Sequence, residues 1–135
     1  MAGYSQTPLP QKLGIKPGFR LILLSAPEGY EKTLAPLPTG VTIAGALSER
    51  PDFIQFFAES QEDLGRRFPE LKLALKDTGM LWISWPKRTS QIASDLSESF
   101  VREIGLAQGL VDVKVCAVDE NWSALKFVYR LRDRA

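Results

Sequence analysis

Four consecutive residues in the second half of the chain combine two cations with two hydroxyl groups: Lys87, Arg88, Thr89 and Ser90. They precede a stretch with helical periodicity, so the pattern predicts that they lie at a helix N-terminus. The amides of a helix N-terminus carry partial positive charge and attract anions. The group therefore indicates a site for a phosphate or a carboxylate. The alternative is that Thr89 or Ser90 simply caps the helix while the two cations are solvated.

Two further loops carry polar or aromatic residues that could contact a ligand. The first, residues 25–30, offers the hydroxyl of Ser25, the carboxylate of Glu28 and the small residue Gly29. The second, residues 119–123, offers the carboxylate of Asp119 and the indole of Trp122, which could stack on a ligand or cover the core as a lid. These residues and the four at 87–90 are the predicted ligand-binding set, and we assign none of them a catalytic role.

The absence of histidine excludes several chemistries. Ser-His and Cys-His nucleophile pairs and histidine-ligated metal sites cannot form. The single cysteine, Cys116, permits no intramolecular disulfide and lies in an apolar run, which favours a buried, inert thiol in a reducing compartment. We therefore expect no metal site, and acid–base chemistry would need a Glu, Asp, Lys, Tyr or Cys with a shifted pKa.

The charge and hydropathy of the chain argue against two large classes of partner. A net charge of +1 gives no overall field that would attract nucleic acid or an anionic membrane. The cations near the C-terminus, Lys126, Arg130, Arg132 and Arg134, are equally explained as protection of an edge strand. No apolar run approaches the roughly 20 residues of a membrane helix, and no signal-peptide pattern opens the chain. We expect a cytoplasmic protein that binds neither membranes nor nucleic acid.

Hydrophobic periodicity predicts the elements that position these loops. Apolar runs indicate strands, and amphipathic stretches indicate helices between them, in the order β-α-β-β-α-β-α-β-β. The predicted strands span 19–24, 41–43, 52–57, 80–85, 111–118 and 124–131, and the predicted helices span 28–34, 60–78 and 89–104. Pro69 predicts a kink or a break in the second helix. Gly105 is expected to end the third helix in a left-handed conformation.

The predicted order of elements indicates an α/β, Rossmann-like, three-layer domain. Its sheet would be mostly parallel and would end in a C-terminal antiparallel hairpin. The prolines and glycines of residues 1–18 predict an extended N-terminal arm, followed by a single domain over residues 19–135. Ligands of such sheets lie beyond the carboxyl ends of the strands. The three candidate loops would meet there, the third only if the fifth strand runs parallel to the others.

The segment LGIKPGFRLILL at residues 13–24 resembles the lead-in to the first strand of class I S-adenosylmethionine-dependent methyltransferases. The late helix followed by a hairpin resembles the end of that fold. The resemblance implies an acidic residue and a glycine-rich loop after the first strand, and a second acidic residue after the second strand. In this chain the positions of the first acidic residue and the glycine-rich loop are occupied by Leu23, Ser25, Pro27 and Gly29. The stretch VTIAGA at 41–46 contains no acidic residue at the end of the second strand. Side chains fill the space that glycines would leave, so we expect no cofactor.

Four segments, 13–18, 26–30, 85–87 and 111–123, also resemble a bacterial family of uncharacterised proteins defined as a domain of unknown function. That resemblance implies no activity. Two functions are compatible with the residues. The first is a non-catalytic domain that binds a small anionic ligand or a protein partner, such as a second copy, at the carboxyl edge of its sheet. The alternative is a divergent transferase of the S-adenosylmethionine-dependent type that uses Glu28, Lys87 and Asp119.

Overall fold

A computed structural model describes residues 7–134, which form six strands and four α-helices. The strands are β1 (Arg20–Leu24), β2 (Thr42–Ile43), β3 (Phe53–Phe57), β4 (Met80–Pro86), β5 (Leu110–Ala117) and β6 (Trp122–Tyr129). The helices are α1 (Leu9–Leu13), α2 (Tyr30–Leu34), α3 (Gln61–Ala74) and α4 (Glu98–Ala107), with short 3₁₀ turns at Leu47–Glu49 and Leu131–Asp133. The predicted strands all exist within a few residues of their predicted bounds.

All six strands form one sheet in the order β2-β1-β3-β4-β6-β5. The first four strands are parallel, while β6 pairs antiparallel with both β4 and β5. Because β6 runs opposite to both of its neighbours, β5 runs in the same direction as β4. This arrangement confirms the predicted α/β class, the mostly parallel sheet and the C-terminal hairpin. The loop that follows β5 therefore lies at the same edge as the loops that follow β1 and β4.

Two hydrophobic clusters cover the two faces of the sheet and give the predicted three layers. On one face, α1 and α2 bury residues such as Leu13 and Tyr30 against Phe53 and Trp82. On the other face, α3 and α4 bury residues such as Phe68 and Val101. The helices are thus held to the sheet by apolar burial, which is the main favourable contribution to folding. Among the described helices, none is long and apolar enough to cross a membrane.

The helix α3 is continuous through Pro69, so the predicted division into two helices is wrong. Its N-cap is Ser60, whose Oγ accepts a hydrogen bond from the amide of Asp63 at 3.0 Å. Its buried stripe includes Leu64, Phe68 and Leu71. Packing of that stripe against the sheet holds the helix together across a residue that removes one backbone donor.

The segment before β1 packs against the sheet, which corrects the prediction of an extended arm. The helix α1 lies within it, and Leu13 and Ile15 are buried. The indole Nε1 of Trp82 donates a hydrogen bond to the carbonyl oxygen of Leu13 at 2.9 Å. These two apolar side chains and a buried indole that needs an acceptor explain the packing. Residues 1–6 of the predicted arm lie outside the described residues.

The helix α4 begins at Glu98 and not at residue 89, as the sequence predicted. Its N-cap is Ser97, whose Oγ accepts a hydrogen bond from the amide of Phe100 at 3.2 Å. The preceding residues form a loop in which the hydroxyl of Ser90 donates to the carbonyl oxygen of Lys87 at 2.8 Å. Gly105 lies inside the helix and does not end it. The predicted placement of residues 87–90 at a helix N-terminus is therefore wrong.

Replacing Ser97 with alanine should lower the free energy of unfolding by about 1 kcal/mol, because the Phe100 amide would lose its side-chain acceptor. The matched control is Thr89→Ala at the helix start that the sequence predicted. Thr89 is exposed and lies outside α4, so its replacement should change stability by less than about 0.5 kcal/mol. Urea unfolding of both variants measures the difference. A larger loss in the Thr89 variant would contradict the observed start of α4.

Candidate functional site

The carboxyl edge of the sheet contains a topological switch point between β1 and β3. The strand β1 has β2 on one side and β3 on the other, and all three are parallel. The chain leaves β1 towards β2 on one side and leaves β3 towards β4 on the other side, so the loops that follow β1 and β3 diverge. In open α/β sheets, ligands bind in the crevice that such divergence leaves.

An open cleft of about 520 Å³ lies beyond the ends of β1 and β2. We call it the first cleft, and it contains the predicted residues Ser25 and Gly29 but not Glu28. Ser25 has a φ of 57° and Gly29 a φ of 80°, so the backbone turns through left-handed conformations at both ends of the loop. Only glycine adopts such a conformation without strain. The sequence analysis missed Glu31 and Lys32, two exposed charged residues of α2 that also line this cleft.

A buried polar network begins at Tyr30, which lines the first cleft. The hydroxyl of Tyr30 donates to Oε1 of Gln55 at 2.6 Å, and Nε2 of Gln55 donates to Oγ of Ser84 at 3.0 Å. Gln55 and Ser84 are fully buried in the centre of the sheet. Burial raises the pKa of Tyr30 well above its usual range. Tyrosine is already protonated at neutral pH, so the raised pKa keeps Tyr30 a hydrogen-bond donor into more alkaline solution.

A second cleft, of about 350 Å³, lies between the end of β4 and the N-terminus of α4. Two predicted residues, Lys87 and Arg88, line it together with three hydroxyl groups from other segments, those of Ser97, Ser99 and Ser123. The backbone amide of Lys87 donates to the carbonyl oxygen of Asn121 at 2.8 Å, which joins the loop after β4 to the loop before β6. This second cleft thus brings two of the three candidate loops together.

One carboxylate, that of Glu98, lies among the cations of the second cleft. Its Oε2 accepts a hydrogen bond from Nη2 of Arg102 at 2.7 Å, so part of its charge is balanced on the helix itself. The sequence analysis missed Ser97 and Ser99 as lining residues because it placed the helix start nine residues too early. The start of α4 is set by the cap at Ser97, and the apolar residues Phe100, Val101 and Ile104 follow it inside the helix.

The two predicted residues of the loop before β6, Asp119 and Trp122, stabilise the fold in this structure. The Oδ1 atom of Asp119 accepts hydrogen bonds from the amides of Asn121 and Trp122, at 2.8 and 3.0 Å, and so forms the turn. Trp122 is only 4% exposed and packs edge-on against Phe57, with ring centroids 5.0 Å apart. The indole therefore covers the core as a lid. Stacking of Trp122 on a ligand, the other alternative from the sequence, is wrong because the ring is buried.

The predicted ligand-binding residues divide into three groups. Ser25 and Gly29 line the first cleft, and Lys87 and Arg88 line the second. The remaining five, Glu28, Thr89, Ser90, Asp119 and Trp122, line neither. Glu28, Lys87 and Asp119 do not share a cleft, so the structure does not assemble the transferase site that those residues would form. Among the described residues, no group of three or more Cys, Asp or Glu side chains converges on a point that could hold a metal ion.

Solved structures of methyltransferases share this fold. A SAM-dependent methyltransferase from Aquifex aeolicus is similar over 87% of this chain and 85% of that chain, with a TM-score of 0.62 at 15% identity. A complex of DhpI with SAH is similar over 93% of this chain and 83% of that chain, with a TM-score of 0.62 at 14% identity. Magnesium protoporphyrin IX methyltransferase from Synechocystis with bound SAH is similar over 84% of this chain and 75% of that chain, with a TM-score of 0.58 at 12% identity. The sequence matches no protein-family model and no curated protein.

These similarities show a Rossmann-like fold of the class I methyltransferase type. The residues at the first cleft fit S-adenosylmethionine, the cofactor of that class of enzyme, poorly. Ala26 and Pro27 line the cleft where a backbone of glycines would allow close approach, and Pro27 has no amide to donate. The resemblance also implies an acidic residue after β2. The acidic residue found in that region, Glu49, uses its Oε2 to accept hydrogen bonds from the amides of Gly45 and Ala46, each at 2.9 Å.

Proposed function

We propose that the chain binds a small anionic ligand in the second cleft, at the carboxyl edge of its sheet. The observation that carries this proposal is the convergence of Lys87 and Arg88 with the hydroxyls of Ser97, Ser99 and Ser123 on one cavity. Guanidinium and ammonium groups form the strongest hydrogen bonds to phosphate and carboxylate oxygens, and hydroxyls donate further ones. A non-catalytic binding role agrees with the absence of histidine, which excludes Ser-His and Cys-His nucleophile pairs.

The position of α4 supports an anionic ligand. Its N-terminus opens onto the second cleft at Ser97, so the partial positive charge of the helix end adds to that of the two cations. The Oγ atom of Ser97 accepts a hydrogen bond from the Phe100 amide, which fixes its position, and the O–H proton of Ser97 can still donate to an anion. A protein partner or a second copy at this edge stays a prediction.

Titration with inorganic phosphate, followed by ¹⁵N–¹H NMR, tests the proposal. Phosphate should shift the amide signals of Ser97, Ser99 and Ser123 at millimolar concentration. The double variant Lys87→Gln/Arg88→Gln should bind at least about tenfold more weakly, since charge-assisted hydrogen bonds contribute about 1.5–3 kcal/mol each.

The matched control for this titration is Arg66→Gln, which removes one exposed cation on α3, at a position that does not line the second cleft. Its phosphate affinity should equal that of the wild-type chain. Equal affinity of the double variant and the wild type, or shifts that bypass the three serines, would refute the proposal.

A second candidate function is a divergent transferase of the S-adenosylmethionine-dependent type. It is favoured by the fold of the methyltransferase structures, several of which contain SAM or SAH. The direct test is titration with SAH: binding in the first cleft should shift the amides of Ser25, Gly29 and Tyr30. A saturable response at these residues would support the transferase, whereas no response at millimolar SAH would rule out this candidate.

A further inference from the structure

The C-terminal hairpin carries two lysines directly opposite each other. In the antiparallel register of β5 and β6, Lys114 pairs with Lys126. Residues in such a pair share one face of the sheet, with Cβ atoms about 4.5–5.5 Å apart. Like charges in this position destabilise the pairing. The fold therefore maintains a locally unfavourable contact on this face.

Two more lysines reach the same face from the segment around α1. The ammonium of Lys12 donates to the carbonyl oxygen of Ala117 at 2.9 Å, and the ammonium of Lys114 donates to the carbonyl oxygen of Lys12 at 3.0 Å. Lys16 lies close enough to lower the pKa of Lys126, as does Lys114, although burial is the main cause of that shift. We call this group the hairpin patch; its members are Lys12, Lys16, Lys114 and Lys126.

No ion pair balances the charge of the hairpin patch within the part of the chain that the structure describes. None of its four ammonium groups forms an ion pair with a carboxylate of residues 7–134, whereas Lys76, Arg66, Arg67 and Arg102 all do. Asp112, the acidic residue of β5, pairs instead with Arg102 of α4 on the other face of the sheet. Protection of an exposed edge accounts for Lys114 on the edge strand β5. It does not account for Lys126, which lies on the inner strand β6 and is half-buried.

We propose that the hairpin patch is a second anion site, which binds the oligophosphate group of a small ligand. Strands lie about 4.8 Å apart, so the paired residues Lys114 and Lys126 start from adjacent backbone positions. The ammonium of Lys114 also reaches the carbonyl oxygen of Lys12. These three lysines therefore start from a region roughly 10 Å across, which suits two or three linked phosphates. A nucleic acid spreads its charge over a much greater length, and the net charge of +1 would not attract it.

The site is distinct from the second cleft, and the two proposals can fail independently. The test is titration of the ¹⁵N-labelled chain with sodium tripolyphosphate. We expect saturable shifts at the amides of Gly14, Lys114 and Lys126, since Gly14 lies beside the ammonium of Lys126. The double variant Lys114→Gln/Lys126→Gln should lose about tenfold or more in affinity, while Lys87→Gln/Arg88→Gln should leave the response of these amides in place.

Removal of a like-charge pair should not harm folding, so the thermal midpoint of Lys114→Gln/Lys126→Gln without ligand should equal or exceed that of the wild type. The control Arg66→Gln removes one positive charge from α3, against two in the hairpin variant, and should bind tripolyphosphate normally. Unchanged affinity of the hairpin variant would overturn the proposal. So would binding of a single-stranded oligonucleotide of about 12 nucleotides at this patch without a response to tripolyphosphate.

Discussion

Replacing Gly105 with alanine is expected to lower the free energy of unfolding by about 2–3 kcal/mol, although alanine is the better helix former. A Cβ atom at this position would lie 1.9 Å from Cε1 and 2.4 Å from Cζ of Phe127. Phe127 is fully buried and packs edge-on against Phe68, so its ring cannot move aside without disturbing a second ring. The intrinsic gain of about 1 kcal/mol for alanine in a helix is smaller than this overlap penalty.

The matched control is Gly65→Ala, in the interior of α3. The added Cβ would meet only Cδ1 of Ile104, at 3.8 Å, which is an ordinary contact. This variant should therefore be stabilised by about 0.5–1 kcal/mol. Urea unfolding curves of the two variants measure both effects. Equal free energies of unfolding of the two variants would contradict the close approach of Phe127 to Gly105.

The fate of Gly105 illustrates how far the sequence could predict the fold. The apolar runs of β1, β3 and β4 are intrinsic to the local sequence, so these strands and their succession along the chain were predictable, whereas their order in the sheet was not predicted. The pattern around Gly105 equally fits a helix terminus, because glycine often follows the last turn. What requires glycine there is Phe127, which comes from a strand 22 residues later. A single sequence does not contain that contact in any local pattern.

The candidate site was predictable to a similar extent. Lys87 and Arg88 stand directly after β4, so the strand prediction alone placed them at the carboxyl edge. The direction of β5 was left open, and the pairing of β6 with two neighbours decides it. The lid position of Trp122 depends on Phe57, and the start of α4 depends on the cap at Ser97. These features arise from contacts between segments, which residue spacing does not reveal.

Replacing Tyr30 with phenylalanine should destabilise the fold by about 1–3 kcal/mol near neutral pH, because Oε1 of Gln55 would lose its donor while remaining fully buried. A double-mutant cycle with Gln55→Leu measures the interaction. The loss in the double variant should be smaller than the sum of the two single losses, since each single variant leaves a buried polar atom without a partner. Additive losses would contradict a direct hydrogen bond between the two side chains.

Comparison with the same variant should also show how Tyr30 affects the free energy of unfolding at alkaline pH. Burial raises the pKa of Tyr30 in the folded chain above the value of about 10 that tyrosine has when unfolded. Above that pH the unfolded chain releases this proton while the folded chain keeps it, so the Tyr30 contribution, fully present below pH about 10, is lost as the pH rises. Phenylalanine has no proton to release. The stability difference between wild type and Tyr30→Phe should therefore be largest near pH 7 and should shrink above pH about 10, as urea unfolding at both pH values would show. A difference that stays constant would mean that Tyr30 ionises as readily in the folded chain as in the unfolded one, which its burial at the first cleft forbids.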